Sequence, residues 1–191
     1  MFKKVILYTV LFSSLLSANA FAAVDDETAY ALNTLLFLIS GFLVMWMAAG
    51  FCMLESGLVT SKSVSTIAAK NIGLYSIAGI MFWLVGYNLA YGIPEGGYIG
   101  SFTAWSDGSA LATGYSDGSD WFFQMVFCAT TASIVSGTLA ERIKIWPFFL
   151  FVAILTGVIY PIEMGWQWGG GWLSAAGFSD FAGSTLVHAA G

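Results

Sequence analysis

The chain has 191 residues, of which 58% are hydrophobic and 9% are charged, and its mean hydropathy is +0.81. Soluble domains carry about 25% charged residues, so this composition excludes an ordinary water-soluble globule and indicates a membrane protein. The formal net charge of -5, without any cluster of Lys and Arg, argues against nucleic acid as a partner.

Residues 1–22 have the three parts of a secretory signal peptide. Lys3 and Lys4 precede an apolar run over residues 5–16, and the small residues around Ala20 offer a cleavage site. The run is too short to cross a bilayer comfortably. Cleavage would leave a chain of residues 23–191 with an acidic N-terminus. The alternative is an uncleaved first helix.

Charged residues divide the remainder of the chain into apolar intervals. Each complete interval can hold a helix of about 17 to 25 residues, the length that crosses the hydrocarbon core. We therefore predict an all-α, polytopic membrane helix bundle with four complete transmembrane helices and the start of a fifth. The predicted spans are residues 32–54, 71–92, 121–140, 145–163 and 181 onward.

The basic residues predict the orientation of these spans. Lys62 and Lys70 fall between the first two spans, and Arg142 and Lys144 fall between the third and the fourth. Since cytoplasmic loops carry the excess of Lys and Arg, both loops should be cytoplasmic. We expect a multi-pass protein of the inner (plasma) membrane with its mature N-terminus outside. The acidic loop over residues 93–120, rich in glycine turns, would lie outside as a cap or as a loose connector.

The fifth segment contains His188, the only histidine of the chain. If a helix began at Asp180, a rise of about 1.5 Å per residue would place His188 roughly 12 Å deeper, near the middle of the bilayer. An ionisable side chain at that depth suggests a functional site. The alternative is a neutral imidazole hydrogen-bonded to a neighbouring helix for structure alone.

Asp180 lies at the outer start of this segment. Its carboxylate could accept hydrogen bonds from the first backbone N–H groups of the helix and complement the helix dipole. A direct role as a cation ligand is the second interpretation, but a capping carboxylate has already used much of its acceptor capacity.

Two aromatic groups lie at the outer ends of the predicted helices. Phe123 and Phe127 are four residues apart and share one helical face, and Trp168 precedes the run Gly169-Gly170-Gly171. An aromatic belt at the headgroup level would explain many such residues. A belt needs no triple glycine, whereas a tight turn that directs an indole toward a pore does.

Several motifs, in order along the chain, resemble the ammonium transporter (Amt/Mep/Rh) family from about residue 30 to residue 191. They are Ala49-Gly50-Phe51, Met53-Leu54-Glu55-Ser56-Gly57-Leu58-Val59, Lys70-Asn71, Gly86-Tyr87-Asn88-Leu89-Ala90-Tyr91-Gly92, Leu139-Ala140-Glu141-Arg142, Trp168-Gly169-Gly170-Gly171, Asp180-Phe181-Ala182-Gly183-Ser184 and Val187-His188.

The resemblance implies a homotrimer with one pore per subunit, each pore built from two five-helix halves of inverted topology. It implies that Phe123, Phe127 and Trp168 receive ammonium from outside, that Phe127 is also the outer gate, and that His188 is the first of two pore histidines. The second histidine would lie beyond Gly191. The chain would then be a fragment that is inactive alone.

The function implied for the complete protein is transport of ammonium or ammonia, with methylammonium as a further substrate, rather than an enzymatic activity. No cofactor or metal is expected, and a cytoplasmic regulatory protein is a further expected partner. One alternative is an ammonium sensor whose signalling domain lies beyond the visible chain. A membrane enzyme with His188 as a haem or metal ligand is a weaker alternative, because no second histidine or cysteine pair accompanies it.

Overall fold

A computed structural model describes residues 24–191, which contain helices, turns and loops and no strand. Four helices in this range are long and apolar enough to cross a membrane, which confirms the predicted all-α membrane bundle. They are α1 (Asp26–Leu58), α2 (Ser61–Tyr91), α3 (Asp117–Leu139) and α4 (residues 145–167), and the short helices α5 (Trp172–Ala175) and α6 (Leu186–Ala190) follow. The predicted signal peptide, residues 1–22, and its alternative of an uncleaved helix lie outside the described residues.

Helix α1 begins earlier than the apolar interval predicts because acidic residues stabilise its first turn. The Asp25 carboxylate accepts hydrogen bonds from the Thr28 N–H at 2.9 Å and the Thr28 hydroxyl at 2.8 Å. These bonds, the backbone one first, hold the pKa of Asp25 below its ordinary value. Asp26 and Glu27 lie in the first turn, where negative charge complements the helix dipole.

The four long helices alternate in direction, so that the exposed basic residues of the described chain gather at one end of the bundle and most of the acidic residues at the other. We call the end that carries Asp25, Asp117 and Asp180 the acidic end, and the end that carries Lys62 and Arg142 the basic end. At the acidic end, the Ser116 N–H donates to the Thr34 hydroxyl at 3.0 Å. At the basic end, the Thr60 N–H donates to the Glu141 carboxylate at 3.1 Å. Helices α1 and α3 are therefore tied together at both ends.

Helices α2 and α4 each contain a π-helical segment, at Phe82–Gly86 and Leu155–Ile159. In α4 this segment precedes Pro161, which has no N–H to donate and whose ring collides with the preceding turn of an ideal helix. The two segments face each other across Gly86, where an added Cβ would lie 3.1 Å from the Pro161 ring and 3.2 Å from the Thr156 carbonyl. Glycine thus permits the close approach of α2 and α4.

The main apolar core lies between α2, α3, α4 and α6. Small residues recur every four positions on two faces of α3, which predicts close helix contacts there. They are Ala129, Ser133 and Gly137 on one face and Ala132, Ser136 and Ala140 on the other. The first two of each face are buried, whereas Gly137 is exposed and Ala140 is half-buried. The buried members of this core are Ala78, Phe82, Ala90, Met125, Val126, Cys128, Ala129, Tyr160, Met164 and Val187.

The long connection between α2 and α3 is packed over the acidic end. The Trp105 N–H donates to the Trp83 carbonyl at 2.8 Å, which gives a partner to a carbonyl of the π-helical segment. The Asn88 side-chain amide donates to the Thr103 and Ala104 carbonyls, at 3.2 and 3.0 Å. Of the two interpretations offered by the sequence, the structure has the cap rather than the loose connector.

Lys70 is not in a loop, and this corrects the sequence-based assignment. It lies inside α2, is 5% exposed, and its ammonium forms an ion pair with Glu55 of α1 at 2.9 Å. Charge did not mark a helix boundary here because two opposite charges pair within the bundle. The basic end still carries Lys62, Arg142 and Lys144.

Candidate functional site

A cavity of about 420 Å³ opens at the acidic end of the bundle. We call it the aromatic cavity, because eight of its lining residues are aromatic and, among the described residues that line it, none is basic. Ring faces attract cations, and a single carboxylate adds to that attraction. The lining residues are Phe37, Tyr87, Tyr91, Tyr115, Asp120, Phe123, Gln124, Phe127, Trp168 and Phe181.

The three predicted aromatic residues meet on one wall of this cavity. The rings of Phe123 and Phe127 pack edge to face with centroids 5.1 Å apart, and those of Phe127 and Trp168 do the same at 5.7 Å. Phe37 of α1 continues the series at 5.4 Å from Phe123. Because edge-to-face pairs are mutually stabilising, the wall is a connected set of rings rather than a belt of separate ones.

The triple glycine sets the position of Trp168. A Cβ on Gly169 would collide with the Ala90 carbonyl, and one on Gly171 would lie 2.8 Å from the Gly165 carbonyl. Gly170 has a φ of 76°, in the left-handed region that glycine adopts without strain. The Trp168 indole N–H then donates to the Asp180 carbonyl at 2.6 Å. The turn needs glycine, and it directs the indole into the cavity.

Asp180 makes the contacts of a helix cap. Its Oδ1 accepts from the N–H groups of Gly183 at 2.9 Å and Ser184 at 3.1 Å, and its Oδ2 accepts from Thr185 at 2.8 Å and Leu186 at 2.9 Å. Burial by itself would raise the pKa of this carboxyl, but the backbone bonds from Leu186, Thr185 and Gly183 outweigh it and lower the pKa. Asp180 does not line the aromatic cavity.

Helix α6 begins at Leu186, several residues after the predicted start at residue 181. The four N–H bonds to Asp180 fold the intervening residues into turns instead of a helix, so counting helical rise from Asp180 does not give the depth of His188. Its neighbours do: His188 and Thr130, near the middle of α3, line the same cavity.

That second cavity has a volume of about 340 Å³ and shares Phe127 with the aromatic cavity. We call it the histidine cavity. Its lining residues are Leu43, Val44, Met47, Phe127, Thr130, Ala182, Gly183, Val187 and His188. The His188 side chain is exposed, and no hydrogen bond joins it to another residue of the described range 24–191. Phe127 belongs to both cavities.

Asp120 and Gln124 also line the aromatic cavity, although the sequence motifs did not indicate them as site residues. Asp120 accepts a hydrogen bond from the Tyr87 hydroxyl at 2.6 Å and one from the Gln124 amide at 3.3 Å. The signal was present, because Asp120, Gln124 and Phe127 recur at positions i, i+4 and i+7 and so share one face of α3. Tyr87 comes from a different helix, and no local pattern connects it to Asp120.

The basic end contains a buried polar cluster that the motifs alone did not explain. The Lys70 ammonium pairs with Glu55 and also donates to the Ser136 carbonyl at 2.8 Å. The Ser136 hydroxyl and the Asn71 amide both donate to the Glu55 carboxylate. Buried charges are tolerated when they are paired and hydrogen-bonded. The cluster therefore joins α1, α2 and α3.

These features define a polytopic membrane protein with an aromatic cavity that shares Phe127 with a cavity lined by a histidine. The sequence profile of the Ammonium Transporter Family matches residues 35–191, and the chain belongs to this family. The resemblance inferred from its motifs is thereby confirmed. Proteins of this family are transporters and channels rather than enzymes, in agreement with the expected absence of enzymatic activity.

Individual relatives agree with this assignment. Ammonium transporter Amt2 of Archaeoglobus fulgidus is 43% identical over 167 residues, which are 81% of this chain and 35% of that protein. The solved structure of a Sensor Amt Protein has a TM-score of 0.77 and 32% identity, over 86% of this chain and 42% of that one. Mep2 of Saccharomyces cerevisiae has a TM-score of 0.73 at 24% identity and shares the fold over 86% of this chain and 39% of its own. The chain thus spans about two fifths of the length of these relatives.

Proposed function

We propose that the complete protein carries ammonium or ammonia across the membrane, and that this chain supplies an outer recruitment site and the first half of the pore. The observation that carries the proposal is the position of Phe127, whose ring belongs to both the aromatic cavity and the histidine cavity. A ring in this place suits a gate between a site that attracts cations and a path that excludes them.

The aromatic cavity would act first. An ammonium ion loses much of its hydration when it enters an apolar pore, and this loss must be offset by other partners. The π faces of Trp168 and Phe123 can each contribute roughly 0.5 to 2 kcal/mol, more as the site becomes drier. The edge-to-face contacts of these rings support this role, because they hold the rings in place before an ion arrives.

Beyond Phe127, ammonia, or ammonium as it gives up its proton, would pass along His188. The imidazole can donate or accept a proton near neutral pH, which suits it to hydrogen-bond ammonia and to provide a route for the proton. We assign the second pore histidine to the other half of the pore, which would complete the lining of the histidine cavity.

We further propose a homotrimer in the inner (plasma) membrane, with the acidic end outside and a cytoplasmic regulatory protein as a partner at the basic end. The segregation of Lys62, Arg142 and Lys144 from the acidic loops supports the orientation. Apolar side chains of α1 that are exposed in this chain, among them Leu36 at 63% and Trp46 at 74%, suit contact with lipid, with the rest of the pore or with a second subunit.

Uptake of labelled methylammonium by the full-length protein in proteoliposomes tests the transport proposal. We expect Trp168→Leu and His188→Ala to abolish uptake at unchanged expression. Trp146→Leu is the matched control, because Trp146 is 77% exposed at the basic end and lines neither cavity. Undiminished uptake by both site variants would refute the proposal.

An ammonium sensor is the second candidate, and the likeness to a Sensor Amt Protein supports it. In a sensor the same cavity would bind ammonium and pass the signal to a further domain. Sequencing the gene beyond Gly191 separates the two functions. A kinase or cyclase module after the last helix, together with ammonium binding but no uptake, would favour the sensor.

A further inference from the structure

The aromatic cavity contains one feature that an uncharged ring wall does not need, which is the Asp120 carboxylate. Asp120 is 7% exposed and is the single formally charged residue among those that line the cavity in the described part of the chain. The Glu55–Lys70 pair is the only salt bridge within residues 24–191. A buried carboxylate therefore faces the cavity without a basic partner in this range.

We propose that Asp120 supplies the counter-charge of the outer site and selects a small cation with N–H donors, ammonium or methylammonium, over neutral amines. The inference rests on the proposed function and assigns a specificity-determining residue to it. A buried charge is unfavourable unless a partner offsets it. A cation that enters the aromatic cavity provides that partner.

The hydrogen bonds of Asp120 fix the carboxylate without using all its acceptor capacity. Tyr87 donates to Oδ2 at 2.6 Å and Gln124 donates to Oδ1 at 3.3 Å. A carboxylate has about four lone-pair positions, so each oxygen can accept a further N–H. Asp180, by contrast, accepts four backbone N–H groups and lies outside the lining of the cavity.

Asp120 also lies on the same face of α3 as the rings. Asp120, Phe123 and Phe127 occupy positions i, i+3 and i+7, so the charge and the π faces belong to one wall. A cation at this wall is attracted by both at once, so the combination favours a cation over a neutral amine and disfavours an anion. Gln124, at i+4, orients the carboxylate.

The experiment measures the concentration dependence of labelled methylammonium uptake by the full-length protein in proteoliposomes. For Asp120→Asn we expect KM to rise roughly three- to tenfold, with the maximal rate within about twofold of the original, because a nearby charge is lost while the acceptor for Tyr87 remains. Asp120→Glu keeps the charge and should restore KM to within about threefold of the original.

Asp117→Asn is the matched control. Asp117 lies in the same first turn of α3, but its carboxylate accepts the Gly108 N–H at 3.0 Å and does not line the cavity. Its KM should stay within about twofold of the original, since Asp117 lies outside the cavity lining and its half-buried carboxylate is still in contact with solvent, which screens its charge. Tyr87→Phe removes a hydroxyl but no charge and should change KM less than Asp120→Asn does.

The outcomes separate the two proposals. If the original protein transports methylammonium and Asp120→Asn leaves KM unchanged, the role of Asp120 is refuted while the proposed function stands. Equal losses of maximal rate in Asp120→Asn and Tyr87→Phe, without a change in KM, would show a purely structural hydrogen bond and also refute it. If neither the original protein nor Asp117→Asn exceeds empty liposomes, the proposed function fails, and the inference with it.

Discussion

The Trp168 indole N–H donates to the backbone carbonyl of Asp180 at 2.6 Å, while the Asp180 carboxylate organises the turns that precede α6. One residue thus positions both an indole of the aromatic cavity and the helix that carries His188. Because the two cavities share this support, a change at Asp180 should affect both without contacting any ligand.

We expect Asp180→Asn to destabilise the protein by about 1 to 3 kcal/mol at neutral pH, because several N–H groups lose a charged acceptor. The pKa of Asp180 is lowered in the folded protein. Its stabilisation should therefore be complete above the unfolded pKa, near 3.8, and should vanish as the pH falls through the folded pKa.

Thermal unfolding in detergent between pH 7 and pH 3 measures this difference. The gap in Tm between the original protein and Asp180→Asn should narrow only at the acidic limit of that range. Asp107→Asn is the control, since Asp107 lies in the exposed loop and bonds only to Ser109 nearby. A gap that stays constant down to pH 3 would contradict a charged cap.

We expect Gly169→Ala to disrupt the turn after α4 and to displace Trp168, because the new methyl would overlap the Ala90 carbonyl. Overpacking of this kind costs about 1 to 3 kcal/mol. The readouts are Tm and quenching of tryptophan fluorescence by an added quencher. Gly50→Ala, in a helical position with nothing within 4 Å of an added Cβ, should leave both unchanged or raise Tm slightly.

The buried ion pair between Glu55 and Lys70 should behave as a unit. Lys70→Met alone leaves an unpaired buried carboxylate and should cost about 3 to 5 kcal/mol. The double variant Lys70→Met with Glu55→Gln should recover a large part of that loss.

Thermal unfolding of the two single variants, the double variant and the original protein completes the cycle. Lys62→Met is the control, because Lys62 is exposed at the same end of the bundle and should change Tm little. Strictly additive effects of the two buried substitutions would rule out the coupling.

The sequence predicted the fold because the apolar intervals are long and the charges between them are few. It also brought Phe123 and Phe127 onto one face, since that depends only on a spacing of four residues. The run Gly169-Gly170-Gly171 indicated a tight turn for the same local reason. Their roles in ammonium recruitment, like that of His188, stay predictions.

Other features could not be predicted because they depend on contacts between distant parts of the chain. From the sequence alone Lys70 is expected in a loop, because its ion-pair partner Glu55 lies beside it only when α1 packs against α2. Helix α6 begins at Leu186 rather than at residue 181, because four backbone N–H groups donate to the Asp180 carboxylate and hold the residues between in turns. Counting helical rise from Asp180 does not account for these turns. Asp120 gained its partner Tyr87 from another helix, 33 positions away.

The π-helical segment Phe82–Gly86 has a consequence for the direction in which the rest of α2 faces. A π turn accommodates one more residue than an α turn, and one residue corresponds to about 100° of rotation. Removing a single residue from this segment would rotate Tyr87 and Tyr91 by that angle relative to the core positions before it. The extra residue therefore rotates the later part of α2 relative to the earlier part. One continuous helix can then direct Phe82 into the core and, one turn later, the Tyr87 hydroxyl toward Asp120.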